Sequence, residues 1–433
     1  MVMEPAAAVG LDPMAASVPT SFHAPESSHL CSPPFFAAAR ASSGGGEVVV
    51  RWPAEWEAHG ATVLAWPVRD DVWRDGAGPA RRAVVAVAKA ILSFDEPVIV
   101  CVSREAGMES ARQMLPPEVM LVACEYDDVW LRDIAPVFVR ASEGLCGVKF
   151  GFNAWGSQCY STWERDSAFG AELCGELRAH VADVPGLVLE GGAVHTDGQG
   201  TLITTESVVL DAQRNPGMSR DEAEAMLKRS LGVSVVIWIR SGLAHDQDTR
   251  GHVDNLLTYV RPGEVLLSWT DDEEDEEFHV VREALAVLEA SVDARGRRLV
   301  VHTVPLPPRM HTTEKEAAGV VSQEGTLPRE AGGRLCGSYV NLALVNGCGI
   351  VAPLFGPAAC AGLEGYVGEG GDGGTYADLV DAAAMDALQR AFPDRRVVGV
   401  PAREIILGGG GIHCMTTHFP AKIVGGAEEP HEG

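Results

Sequence analysis

The sequence has no apolar run of about 18 residues, so no segment of it is suited to span a membrane as a helix. It is also poor in positive charge. Lys and Arg number 34 against 60 Asp and Glu, a formal net charge of −26. Binding to a phosphate backbone needs a basic face, so nucleic acid is excluded as the expected partner. A small cation would be attracted by such a field, although acidic surfaces also serve solubility alone. The ten cysteines contain no C-x-x-C pair, which removes the spacing of a zinc ribbon or a thioredoxin-type redox site. Scattered cysteines in a chain of this length read as reduced, mostly buried thiols, and the cytosol is the expected compartment. No G-x-G-x-x-G joins a strand pattern to a helix pattern, so a dinucleotide fold lacks its signature.

What is present is an ordinary globular composition, 46% hydrophobic and 22% charged over 433 residues. Residues 1–47 differ in kind, being rich in Ala, Ser and Pro and ending near Gly44 to Gly46. Arg40 is their only Lys or Arg, against Glu4, Asp12, Glu26 and Glu47, so they read as a disordered tail rather than an Arg-rich transit peptide. Beyond Trp52, short apolar runs alternate with helical patterns, which predicts an α/β fold. The strands are expected at 98–102, 120–123, 135–139, 202–205, 235–239, 265–269, 299–304, 339–345 and 405–407. The helices are expected at 80–92, 105–115, 166–181, 221–231, 276–291 and 383–392. Leu189-Glu-Gly-Gly-Ala-Val-His-Thr196 also overlays Leu407-Gly-Gly-Gly-Gly-Ile-His-Cys414 without a gap, which suggests a repeated Gly-rich lead into a strand.

Three clusters carry chemistry. Four glycines before Ile412-His413-Cys414 let the backbone turn sharply or approach a ligand, and a cysteine just past such a turn is a candidate nucleophile. A cysteine elsewhere in the chain is far more often a buried structural thiol. In Asp248-Thr-Arg-Gly-His-Val-Asp-Asn255, a strand beginning after Gly251 would set His252 and Asp254 on one face, the histidine to move protons and the carboxylate to hold a cation. Taken singly, His252 is a turn histidine like many others. Asp127-Asp-Val-Trp-Leu-Arg-Asp133 mixes acids with Trp130, a pairing suited to forking onto a guanidinium and stacking on its plane, or simply to a solvated acidic loop. Glu190, at the Gly-rich turn after Leu189, is a fourth acid.

These segments together resemble the agmatine deiminase family, relatives of the bacterial-type peptidylarginine deiminases. The resemblance runs in order through Trp52-Pro-Ala-Glu-Trp-Glu-Ala-His59, Ala65-Trp-Pro67, Trp130-Leu-Arg-Asp-Ile-Ala-Pro136, Phe152-Asn-Ala-Trp-Gly156 and Leu189-Glu-Gly-Gly192. It continues through Asp248–Asn255, Leu267-Ser-Trp-Thr-Asp-Asp272, Ser338-Tyr-Val-Asn341, Ala402-Arg-Glu-Ile405 and Gly409–Cys414. It implies a five-bladed pseudo-symmetric α/β propeller of ββαβ units, with residues 48–433 as one catalytic domain. It also implies hydrolysis of agmatine to N-carbamoylputrescine and ammonia, a step toward putrescine. By position Cys414 is then the nucleophile, His252 the acid/base, Asp133 and Asp254 the guanidinium grips, Glu190 an inner acid, Trp130 a lid and Asp248 a contact for the substrate's amine end. No metal or cofactor is called for. The expected partner is a small cationic guanidino substrate, with a homodimer as the assembly and neither nucleic acid nor membrane.

The sequence departs from the family pattern at Gly411, where Asn is usual, at Asp127 in place of Asn, and at Arg250 beside Asp248. Tyr160-Ser-Thr-Trp163 lacks an aromatic-proline pair, and the stretch 365–374 looks inserted. Rival readings are a deiminase of peptidyl-arginine or of free arginine, for which Arg250 is the basic residue at hand, and a silent scaffold of the same fold. A zinc enzyme on His413 and Cys414 lacks a second ligand pair at metal spacing.

Overall fold

The computed structural model describes residues 50–142, 144–157, 159–160, 162–360 and 373–421. The tail expected at 1–47 and most of the stretch 365–374 lie outside them. Five sheets make up the strand content, each with a central strand paired antiparallel to one neighbour, in four of the five the strand before it, and parallel to the strand after. In chain order the central strands are His59–Ala65, Gly144–Gly151, Thr201–Thr205, Glu264–Trp269 and Gly349–Leu354. Between each central strand and its parallel neighbour runs a helix: Gly78–Leu92, Glu164–Leu177, Arg220–Leu231, Glu277–Ala290 and Gly373–Ala391. A parallel pair needs such a crossover, whereas the antiparallel partner can follow a tight turn. One sheet is assembled from the two ends of the described chain, with Thr417–Pro420 pairing antiparallel to His59–Ala65.

Gly78–Leu92 shows why these helices form. Pro79 starts it where a missing N–H costs nothing, and Ala83, Val84, Val87, Ala88 and Ile91 recur at helical spacing and are buried. Strands such as Val98–Val102 are buried at every position and so lack alternation. Cys101, Cys124, Cys159, Cys174 and Cys414 are buried free thiols. Among the described residues no helix is long and apolar enough to cross a membrane.

Most expected elements are present within a few residues; the helix expected at 383–392 starts ten residues earlier, at Gly373, and five others differ for identifiable reasons. The run 405–407 is helical, within Arg403–Leu407, because three buried apolar residues read alike in a strand and in a buried helical turn. The helix expected over 166–181 stops at Leu177, where Arg178 turns left-handed (φ 54°), and His180 and Val181 join a strand beside Cys146 and Gly147. Gly107, at φ 92°, delays the helix expected from 105 until Met108. Only Ala343–Val345 of 339–345 pairs as a strand. The strand expected from 135 starts at Val137, because Leu131–Ile134 is a helical turn that runs into Pro136.

Candidate active site

In four of the five sheets a helical turn ends just before the strand that pairs antiparallel to the central one: Leu131–Ile134, Gly191–Ala193, Val253–Leu256 and Ile412–Met415. In the fifth, Asn341 follows a turn closed by its N–H on the Ser338 carbonyl. These turns deliver Asp133, Glu190, Asp254, Cys414 and Asn341 to one buried place. The two Gly-rich segments are such turns, but their gapless overlay does not survive. Val194–Thr196 is strand where the aligned Ile412–Cys414 is helical. Nor does His252 share a strand with Asp254. Gly251 (φ 106°) leads instead into the turn Val253–Leu256, with His252 capping it.

The sulfur of Cys414 is buried at 2% residue exposure. Asn341 Nδ2 donates to it at 3.1 Å, and the thiol donates to Asp254 Oδ2 at 3.5 Å. Burial pushes the thiol well above its ordinary range, and the Asp254 and Asp133 charges push it further. His252 is fully buried, with Nε2 at 3.4 Å from Glu190 Oε2 and Nδ1 at 3.8 Å from Asp133 Oδ1. Burial opposes its charge, but Asp133, Glu190 and Asp254 outweigh that and lift it to about 9. Asp133 accepts from Gly192 N–H at 3.0 Å and from the Trp155 indole at 2.9 Å. Burial raises it to about 6 despite His252, with Asp254 and Glu190 adding to the rise. Asp254 goes the other way: burial would raise it, but the hydrogen bond from His413 Nδ1 at 2.8 Å and the charges of His413, His252 and Arg132 hold it low. Glu190 is brought down to about 2 against its burial, chiefly by Arg214, whose Nε reaches both its oxygens at 3.0 and 3.1 Å.

Two polar atoms in this cluster, His252 Nδ1 and Asp254 Oδ1, are buried without a hydrogen-bond partner. Buried groups of this kind are costly unless something completes them. Space is left for it by glycine. A Cβ at Gly192 would stand 2.6 Å from His252 Nδ1 and 2.9 Å from both Asp133 Oδ1 and Asp254 Oδ2. One at Gly410 would meet the Trp130 ring at 2.5 Å and the Cys414 Cβ at 3.0 Å. At Gly411, where the family pattern has Asn, the space is filled by Asn341 Oδ1, which accepts from His413 N–H at 2.8 Å.

A cavity of about 300 Å³ opens beside Cys414, walled by Trp130, Asp133, Trp155, Tyr160, Asp248 and Arg329 among others. Trp130 packs against Trp73 at 5.5 Å, and Asp248 is at the cavity wall as expected. Arg250 is not in that wall; its Nη1 reaches Asp211 Oδ2 at 2.8 Å. Asp127 accepts from the Arg165 and Asp166 N–H groups, capping the helix that begins at Glu164. The basic residue at the wall is Arg329, bound to Asp248 at 2.8 Å and to the Gly408 carbonyl at 2.7 Å. Sequence reasoning missed Arg329, Arg214, Glu55 and Trp155 as members of the site. Glu55 and Trp155 stand inside the matching motifs, whereas nothing in the spacing of the two arginines marks them.

A model of the Porphyromonas-type peptidyl-arginine deiminase family matches residues 51–420. The chain is 44% identical over 381 residues to an agmatine deiminase of Stutzerimonas stutzeri, covering 86% of this chain and 96% of that protein. To an agmatine deiminase of Pseudomonas aeruginosa it is 47% identical over 377 residues, covering 86% and 95%. Among solved structures it resembles the agmatine deiminase of Enterococcus faecalis with a TM-score of 0.78 and 34% identity, over 87% of this chain and 97% of that one.

Proposed function

This chain belongs to the Porphyromonas-type peptidyl-arginine deiminase family, and from that premise we propose that it hydrolyses agmatine to N-carbamoylputrescine and ammonia by covalent cysteine catalysis. The observation that carries the chemistry is a buried sulfur among two carboxylates and an imidazole, with Asp254 Oδ1 and His252 Nδ1 lacking partners. A guanidinium carbon is a poor electrophile because its charge is spread over three nitrogens. Asp133 and Asp254 fork onto its N–H groups, fix the plane and localise the charge. The added cation lowers the Cys414 thiol, which gives up its proton to solvent, and the thiolate attacks the carbon. His252 protonates the departing ammonia, and an amidino-cysteine remains. His252 then takes a proton from water, whose oxygen attacks the same carbon, expels the sulfur and releases the urea-type product. Glu190, held by Arg214, orients His252 and sustains its charge. Trp130 roofs the site, and Asp248 meets the distal amine while sharing its carboxylate with Arg329.

The five sheets are read here as blades of a propeller around this site, and residues 48–433 as a single domain. Their common strand order and the sheet that joins 417–420 to 59–65 support this. A crystal structure in which the sheets do not surround Cys414 removes that arrangement.

Free arginine as substrate would need a cation for its carboxylate. Arg329 is the one described basic residue in the cavity wall, and Asp248 already neutralises it. The test is ammonia release from agmatine, arginine and a blocked arginine peptide at equal concentration, with EDTA present. Agmatine turns over fastest and the chelator changes nothing; faster turnover of arginine overturns the substrate, and loss with EDTA overturns the mechanism.

A further inference from the structure

A second cavity, of about 500 Å³ and larger than the one beside Cys414, has a wall that includes Glu55, Arg132, His59 and Gly191. From Glu55 a hydrogen-bonded chain leads inward. The His413 Nε2–H donates to Glu55 Oε1 at 2.9 Å, and the Nδ1–H donates to Asp254 Oδ2 at 2.8 Å. That same Oδ2 is the oxygen 3.5 Å from the sulfur of Cys414. Arg132 Nη1 anchors the outer end on Glu55 at 2.8 Å.

Taking the deiminase reading above as given, we infer that Glu55 and His413 are positioning residues, a buried pair that orients Asp254 between the nucleophile and the guanidinium. An imidazole with a carboxylate on each nitrogen donates from both, so it supplies a fixed cation as well as a fixed direction. Asp254 Oδ2 is thereby pinned, and Oδ1 is left for the ligand. The two acids of the site separate accordingly. Asp254, which has the chain, is held low, and Asp133, which has neutral indole and amide donors, is raised to about 6.

The groups facing His413 are Glu55 and Asp254, which raise it, and Arg132, His195 and His418, of which Arg132 opposes it together with burial. Facing Asp254 are His413, His252, Arg132, Asp133 and Cys414. Ligand atoms of Glu55, His195 and His413 lie within 4.8 Å of one another. With Arg132 on Glu55 and both His413 nitrogens engaged, that cluster is a closed charge array and not an ion site.

Glu55→Gln tests the pair. Losing one charged partner lowers kcat/KM for agmatine about ten- to a hundredfold. It also moves the acid limb of the kcat/KM profile, set in the wild type by Asp133, to higher pH, because Asp254 loses part of the charge that holds it ionised and takes up a proton in the same range as Asp133. In Glu55→Ala, formate reaching the vacated place through the larger cavity restores turnover. A fall with an unmoved acid limb and no formate rescue means a merely structural role and overturns the inference, as does an unchanged Glu55→Gln. A second measurement needs no substrate. In 15N-histidine spectra at pH 7.5, the signals lost in His413→Gln show both ring nitrogens protonated in the wild type and only one in Glu55→Gln. A neutral His413 in the wild type overturns the pair, whereas failure to turn over agmatine with a charged His413 overturns only the reaction.

Discussion

On one side of the turn Ile412–Met415, every charge of the Glu55 group has a partner: Arg132 at 2.8 Å and His413 at 2.9 Å. On the other side, Asp254 Oδ1 and His252 Nδ1 are buried with none, and three acids crowd one imidazole. The two regions are about equally dry, so burial does not separate them. On the Glu55 side the charges are paired as folded, and the buried atom without a partner there, His195 Nδ1, belongs to an imidazole that burial keeps neutral; the Cys414 side is left short of one cation and is completed by a ligand. Burial raises the thiol and Asp133 together, and the neighbouring carboxylate charges add to the rise.

The largest effect expected from this contrast is at the sulfur. Cys414→Ser loses on the order of a thousandfold or more in kcat, since a hydroxyl ionises far less readily than a thiol. Calorimetry shows agmatine still bound, because the carboxylates remain. Mass spectrometry of wild type quenched in turnover finds the amidino mass on the Cys414 peptide, and an adduct on another cysteine ends the assignment.

Asp254→Asn comes next. Breaking one partner of a buried charged pair costs about 3–5 kcal/mol, so KM rises and kcat falls together. Unchanged constants place Asp254 outside the site.

The contrast is sharpened by pH. Asp133 is raised to about 6, so its carboxylate is lost as pH falls through that value and kcat/KM develops an acid limb there. His252, raised to about 9, keeps its proton until pH rises through that value, so the proton donor for ammonia persists across neutrality. The raised thiol reacts slowly with a neutral alkylating reagent at pH 7 in the empty enzyme, and a small unreactive guanidine-like cation displaces the profile to lower pH. Fast alkylation of the empty site at pH 6 shows a preformed thiolate and breaks the picture of a site short of a cation.

Arg250→Asn is the smallest change. Arg250 pairs with Asp211 away from the cavity wall, and Asn tolerates its left-handed backbone (φ 64°). The effect on stability stays within about 0.5 kcal/mol by thermal unfolding, and kcat/KM for agmatine is nearly unchanged. A large gain or loss for agmatine relative to arginine shows that Arg250 reads the distal end after all.

Residues of the site were legible where a motif held both the residue and its reason. Cys414 follows a glycine run, and His252 and Asp254 stand in one octet. Their geometry was not legible, because alternation on a strand was the nearest local model and Gly251 at φ 106° instead starts a helical turn. Strands such as 98–102 and 235–239 were readable from length and apolar content, while 405–407 was not, since three residues cannot separate the two periods.

Local pattern and motif order were enough for the alternating α/β class and the family, because each depends on residue types at short spacing. The pairing of 417–420 with 59–65, the Arg214 hold on Glu190, the Arg329–Asp248 pair and the Glu55–His413–Asp254 chain depend on residues 24 to about 360 positions apart. No local propensity ties such residues together. Only packing of the five sheets brings their charges within hydrogen-bond reach, and that packing holds Asp254 low while burial raises Asp133.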